Sequence, residues 1–301
     1  RKEVEIMPIL GELISLGTAL CWTITVISFE YAGKKVGSLP VNIIRLVFGF
    51  IFLGFTLLVL RGSFIPIDAS SSAWMWLMLS GFVGLVIGDL FLFQAFVEVG
   101  GRISLLVMSL VPPSSAVLSF LIFKEFISPL DLLGMFITIT SIIVVVISKR
   151  EKKKPFHPNV KKGVTFALIG AAAQSVGLIL SKEGMGDFNA FAATQIRIIA
   201  AIIGFTIFIF FKKDWKNVGK AFTHPKAIAF ITLGSFFGPF LGVSSSLLAI
   251  QYTSIGVATT IAQLNIIMII PFSIILFKEK VSMIEVIGSI TAFVGVTLMF
   301  I

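Results

Sequence analysis

Apolar residues run through this chain in long blocks closed by glycine, proline or charged punctuation. A block of about 20 such residues is what an α-helix needs to cross a hydrocarbon core of about 30 Å. The pattern predicts an all-α integral membrane fold with ten spanning helices, whose cores cover 9–31, 40–60, 73–97, 103–123, 128–148, 163–181, 190–211, 227–250, 255–277 and 281–301. The most polar stretch, KREKKKPFHPNVKK at 149–162, lies between the fifth and sixth blocks and reads as a basic linker. It divides the chain into a first unit, 1–148, and a second, 163–301.

The two units are copies. Phe123-Lys124-Glu125 recurs as Phe277-Lys278-Glu279, and at the same offset of 154 Ser128 meets Ser282, Asp131 meets Glu285 and Gly134 meets Gly288. Upstream, Phe82, Gly84, Gly88 and Ala95 meet Phe236, Gly238, Gly242 and Ala249. With an offset of 152, Gly11, Leu16, Ala19 and Arg45 meet Gly163, Leu168, Ala171 and Arg197. Five is odd, so the second copy is expected to enter the membrane from the opposite face. Two inverted five-helix repeats are an architecture of secondary transporters.

Composition narrows the function. The chain is 57% hydrophobic and 13% charged, with a mean hydropathy of +1.05, against about half and a quarter for soluble domains. Soluble enzymes and transcription factors are excluded. The net charge of +9 sits in short loops, where lysine and arginine act as topology signals rather than as a nucleic-acid surface. One side carries five of them and the other, which includes the linker and the 212–226 loop, seventeen; the positive-inside rule makes the second side cytoplasmic and puts both termini outside. Cys21 is alone, so neither an intrachain disulfide nor a cysteine metal cluster is expected. His157 and His224 lie in basic loops, and no metal site or cofactor is expected. No Walker glycine loop occurs, which leaves ATP-driven pumping without support. The first block is too long for a signal-peptide core and is expected to stay in the mature protein.

The ten blocks, the duplication and particular residues together resemble the EamA family of the drug/metabolite transporter superfamily. The residues are Gly17-Thr18-Ala19-Leu20-Cys21-Trp22 in the first block, Arg45 early in the second, Ala95 before the fourth, and Leu121-Ile122-Phe123-Lys124-Glu125 closing the fourth, echoed by Leu276-Phe277-Lys278-Glu279. The resemblance implies a metabolite transporter working by alternating access, with a central cavity between the halves and the fifth and tenth helices away from it. It also implies cytoplasmic termini, against the loop charge. The related small multidrug transporters carry an acid in the first helix where this chain has Trp22, with Gln174 as its counterpart. Carboxylate-driven exchange at that position is therefore not expected.

Ionisable residues inside apolar blocks are expensive and point to function, at about 2.5–3.5 kcal/mol each on insertion scales. Arg45 and Arg197 read either as snorkelling side chains or as gate residues, one at each vestibule. Asp89 lies well inside the third block and is within reach of an ion pair with Arg45; its counterpart is Val243, so its role is not duplicated. Trp22, Asp89, Gln94, Gln174, Ser175, Ser244, Ser245, Gln263 and Asn265 are the expected substrate-binding residues, with Ser246 beside them. For any one serine or glutamine the alternative is a hydrogen bond to a neighbouring helix. Trp74 and Trp76 read as an interfacial belt. Pro112-Pro113, Pro239 and Pro271 are expected to bend the fourth, eighth and ninth helices.

These features favour a secondary transporter of a small polar or amphipathic metabolite, amino-acid-, nucleoside- or drug-like, in the plasma membrane. The expected partners are the lipid bilayer, the small-molecule substrate and a coupling proton or ion, with a monomer or homodimer as the assembly and no nucleic acid. A membrane-embedded enzyme and a passive channel are the alternatives. The enzyme lacks a converging catalytic set beyond Asp89, and a channel does not need inverted repeats around a proline-broken centre.

Overall fold

The computed structural model describes residues 2–123, 128–151, 160–252, 258, 261–278 and 280–298. The basic linker between 152 and 159, and Lys124, Glu125 and Glu279 of the repeated motif, lie outside these residues. Among the described residues the secondary structure is helical: α1 Lys2–Val36, α2 Ser38–Arg61, α3 Ser71–Val99, α4 Gly101–Met108, α5 Val111–Phe123, α6 Pro129–Glu151, α7 Val160–Met185, α8 Ala190–Lys212, α9 Trp215–Ala221, α10 Pro225–Tyr252, α11 Asn265–Phe277 and α12 Met283–Leu298.

Local sequence sets the ends of these helices. The Ser70 hydroxyl accepts from Ala73 N–H, the Asn189 side chain accepts from Ala192 N–H, and proline opens α10 in its first turn, where its missing donor costs nothing. Single glycines join α1 to α2 and α3 to α4. Gly37 has φ 88° and ψ 160°, and Gly100 has φ 84° and ψ 164°, a region open in practice to glycine alone. A one-residue connection reverses the chain only with that backbone.

Six of the described helices are long and apolar enough to cross a membrane, namely α1 from Leu10, α2, α3, α7, α8 and α10. Shorter apolar stretches fall at Leu132–Ile147, Asn265–Leu276 and Met283–Leu298. These lengths do not show all ten expected spans, and the fourth block, expected to bend at Pro112-Pro113, is broken instead. It divides into α4 and α5 at Ser109 and Leu110, because Pro112 and Pro113 have no N–H to continue the ladder into the preceding turn. The ninth block carries a turn at Gln263 and Leu264, the same repeat position. Each break is closed by a three-residue bond, Leu110 N–H to Val107 O at 3.0 Å and Leu264 N–H to Ile261 O at 3.1 Å.

A second defect is duplicated as well. Residues Gly81–Gly88 of α3 and Phe236–Gly242 of α10 are wound as π-helix, and at the offset of 154 the two segments coincide except at Gly81, whose equivalent is Ser235. Both are the third helices of their halves. Such segments insert an extra residue per turn and recur at functional sites.

Packing follows the duplication. α1 lies on α10 and α7 on α3, while α2 pairs with α8, α4 with α11 and α6 with α12. Exchanging the halves swaps the first two of these pairs and returns α2–α8 and α6–α12 to themselves, whereas α4–α11 sets the first part of one fourth helix against the second part of the other. The contacts repeat at residue level too: a Cβ at Gly88 would lie 3.3 Å from Gln174 and one at Gly242 would lie 3.6 Å from Trp22. Likewise a Cβ at Gly177 would meet Gly84 Cα at 2.8 Å, and one at Gly238 would meet Thr25 at 2.7 Å. Small residues let these backbones approach closely without lipid-facing voids.

Candidate functional site

Between the halves lies a cavity of about 220 Å³. Its lining comes from regular helix faces. Trp22, Thr25, Val26 and Phe29 of α1 follow the i, i+3, i+4, i+7 stripe of one face, and Asp89, Leu92, Phe93 and Phe96 do the same on α3. Met108, Val111, Pro112, Gln263 and Asn265 reach it from around the two helix breaks, and α6 and α12 contribute nothing to the lining. Both helix breaks thus reach this space, together with Leu85 of the first π segment and Val243 directly after the second.

The charged lining residues are Arg45, Asp89 and Arg197, all buried. Arg45 Nη2 donates to Asp89 Oδ2, forming a buried ion pair, and Arg45 Nε donates to Asn42 Oδ1 at 3.1 Å. The guanidinium also lies over the Phe93 ring, 4.4 Å from its centroid. Asp89 Oδ1 accepts from Gln174 Nε2 at 2.8 Å. One carboxylate therefore joins α2 of the first half to α7 of the second. Arg197 lines the same cavity as Asp89, but its Nε finds no hydrogen-bond partner among the described residues. Snorkelling is excluded for both arginines by their burial, and they converge on one cavity rather than occupying two separate vestibules.

A model of the EamA-like transporter family matches residues 9–147 and again 161–301. The chain belongs to the EamA-like transporter family. This EamA-like chain is thus a multi-pass membrane protein of a transporter family, matched once by each half. A solved structure described as "Crystal structure of protein" superposes with a TM-score of 0.63 at 16% identity, covering 96% of this chain and 94% of its own length, and shares the fold. The search of curated proteins gives no match.

Within this EamA-like fold, Trp22, Arg45, Asp89, Gln174, Arg197, Gln263 and Asn265 line the cavity, and so does Ser246. Gln94, Ser175, Ser244 and Ser245 do not. Gln94 accepts from Ser38 at 2.7 Å and donates to Glu98 at 3.1 Å, near the helix ends. The Ser175 hydroxyl reaches the Ala171 carbonyl at 2.9 Å. Ser245 accepts from Thr18 at 2.8 Å, and Ser244 is fully buried with no partner for its hydroxyl among the described residues. The Ser38–Gln94 and Thr18–Ser245 bonds, and one from Ser175 to the Val111 carbonyl at 3.2 Å, join neighbouring helices.

Sequence reasoning missed the aromatic wall of Phe29, Phe93 and Phe96. Phenylalanine occurs 31 times in the chain, so type alone carries no signal; helical spacing from Trp22 and Asp89 does. It also missed an ionic cluster on one side of the cavity, where α1 and α3 end and α4 and α12 begin. There Lys34 pairs with buried Glu30 at 2.6 Å, and Arg102 pairs with Glu285 at 2.9 Å.

Proposed function

We propose that the protein is a secondary transporter that carries a small polar or amphipathic metabolite through the central cavity by alternating access of two inverted repeats. The observation that carries this reading is Asp89, which binds Arg45 of the first half and Gln174 of the second at a cavity that both helix breaks reach. A bond set that spans both halves is one that a rocking motion makes and breaks, and irregular backbone at membrane depth is tolerated where it lines such a space. Arg45 and Arg197 serve as gate residues, and Trp22, Asp89, Gln174, Gln263 and Asn265 contact the substrate. The ionic cluster of Glu30, Lys34, Arg102 and Glu285 closes one side.

In this reading the chain is no enzyme. It resides in the plasma membrane as a monomer or homodimer, with a proton or ion as the coupling species. Reconstituted liposomes test it: flux of the transported metabolite saturates and shows counterflow. Trp22→Ala abolishes that flux while Trp74→Ala, which alters a residue packed near Leu77 and Met185 outside the cavity, changes it little. Non-saturable flux without counterflow means a channel instead.

A further inference from the structure

The two arginines are repeat equivalents with unequal surroundings. In the first half Arg45 Nη2 has Asp89, and its Nε has Asn42 Oδ1 at 3.1 Å. In the second half the equivalent of Asp89 is Val243, itself part of the cavity lining. The equivalent of Asn42 is Thr194, whose hydroxyl is spent on the Ala190 carbonyl at 2.8 Å. Arg197 is 5% exposed, its Nε has no partner among the described residues, and none of their carboxylates lies in ion-pair contact with it. A guanidinium stays protonated at any physiological pH, so a buried one calls for an anion.

Counting formal charges along the lining gives two arginines against one aspartate. Both oxygens of that aspartate are already engaged, one by Arg45 and one by Gln174. An ammonium group entering the cavity thus meets no uncommitted acid. A second orphan faces the same space: Asn265, 8% exposed, whose Oδ1 has no partner among the described residues. Around these groups stand Trp22, Phe29, Phe93 and Phe96.

We propose that Arg197 is the anchor for the anionic group of the transported molecule, and that the substrates are small organic monocarboxylates with an apolar body. The carboxylate sits on Arg197 as Asp89 sits on Arg45. The apolar body lies against the aromatic wall, and a hydroxyl or N–H on the substrate donates to Asn265 Oδ1. Net positive lining charge favours a net negative ligand over a zwitterion of equal shape. The inference rests on the transport reading for the word substrate; the binding site itself does not depend on it.

Three probes with one phenylethyl body test the charge: 3-phenylpropionate as anion, phenylalanine as zwitterion and phenethylamine as cation, titrated at pH 7 against the purified full chain in detergent. Calorimetric affinity and the shift in melting temperature are read together, since a ligand of the native state raises stability by mass action. We expect 3-phenylpropionate to bind most tightly, phenylalanine about tenfold or more weakly, and phenethylamine to give no shift. Arg197→Gln weakens the anion by about tenfold or more, as loss of a charge-assisted hydrogen bond does, and Arg197→Lys retains part of it. Thr194→Asn weakens it too, because the new amide takes Nε as Asn42 does at Arg45.

Equal or tighter binding of phenethylamine overturns the proposal, and so does absence of 3-phenylpropionate binding to the wild type. Should Arg197→Gln fail to fold, unchanged anion affinity in both Arg197→Lys and Thr194→Asn overturns it. Flux separates the two readings. Anion bound in an Arg197-dependent way but never moved across liposomes sinks transport alone; saturable flux of some other solute without anion binding sinks the anchor alone.

Discussion

Asp89 spends one carboxylate oxygen on Arg45 and the other on Gln174, so the residue holds a charge and a contact between halves with the same group. Removing one partner of a buried pair leaves the other uncompensated and costs about 3–5 kcal/mol, whereas replacing both costs far less. Asp89→Asn is therefore expected to lower the melting temperature as well as flux, and the double variant Asp89→Asn/Arg45→Gln to recover much of the lost stability. Thermal unfolding of the four proteins of that cycle gives the coupling; additive losses would mean that the pair carries none. The ionisable positions were legible because a charge inside an apolar block is costly and rarely incidental. Gln94, Ser175, Ser244 and Ser245 were not, since a hydroxyl bonded to its own helix and one aimed at a ligand look alike in a sequence. Arg197 differs from Arg45 through its neighbours Thr194 and Val243, which the repeat offsets expose only once packing shows which side chains meet.

At the scale of helices, the blocks and the copy relation were readable from hydropathy and self-comparison, but the irregularities were not. The glycines at 84, 88, 238 and 242 fit an α-helix and a π segment equally well by spacing; close packing against α7 and α1 selects where the winding changes. The prolines at 112 and 113 announced a defect without saying whether the helix bends or breaks. Close approach makes a sharp test. A Cβ at Gly177 would lie 2.8 Å from Gly84 Cα, with backbone as the obstacle, whereas a Cβ at Gly17 meets nothing within 4 Å. Gly177→Ala should lower the melting temperature by forcing α7 from α3, while Gly17→Ala leaves it unchanged or raises it, since alanine is favoured over glycine in a helix by about 0.5–1 kcal/mol. Equal behaviour of the two variants would show that the α3–α7 contact is loose.

For the whole molecule, loop charge predicts that the linker and the 212–226 loop face the cytoplasm. Lys212, Lys213, Lys216, Lys220 and Lys226 make this the second densest basic stretch, and such segments stay on the cytoplasmic face. After replacing Cys21, a single cysteine at Lys220 should resist an impermeant thiol reagent in intact cells and react once the membrane is opened. Rapid labelling in intact cells would reverse the orientation and place the α1 start inside, as the family resemblance implies.

The unequal pairing of Asp89 with Val243 has an energetic consequence for a carrier built from like halves. Were the duplication perfect, the form open to one face and the form open to the other would be related by a two-fold rotation and equal in free energy, and the empty protein would divide evenly between them. A single acid lifts that degeneracy. The form in which Asp89 holds Arg45 and Gln174 together is favoured over its counterpart, in which no second carboxylate closes the matching set on Arg197. A bias of 1.4 kcal/mol amounts to a tenfold population ratio, on the relation that 5.5 kcal/mol spans about 10⁴. Under the proposed rocking of the halves, the empty protein is expected to be tilted toward one face before any solute arrives, with Asp89 as one source of the tilt.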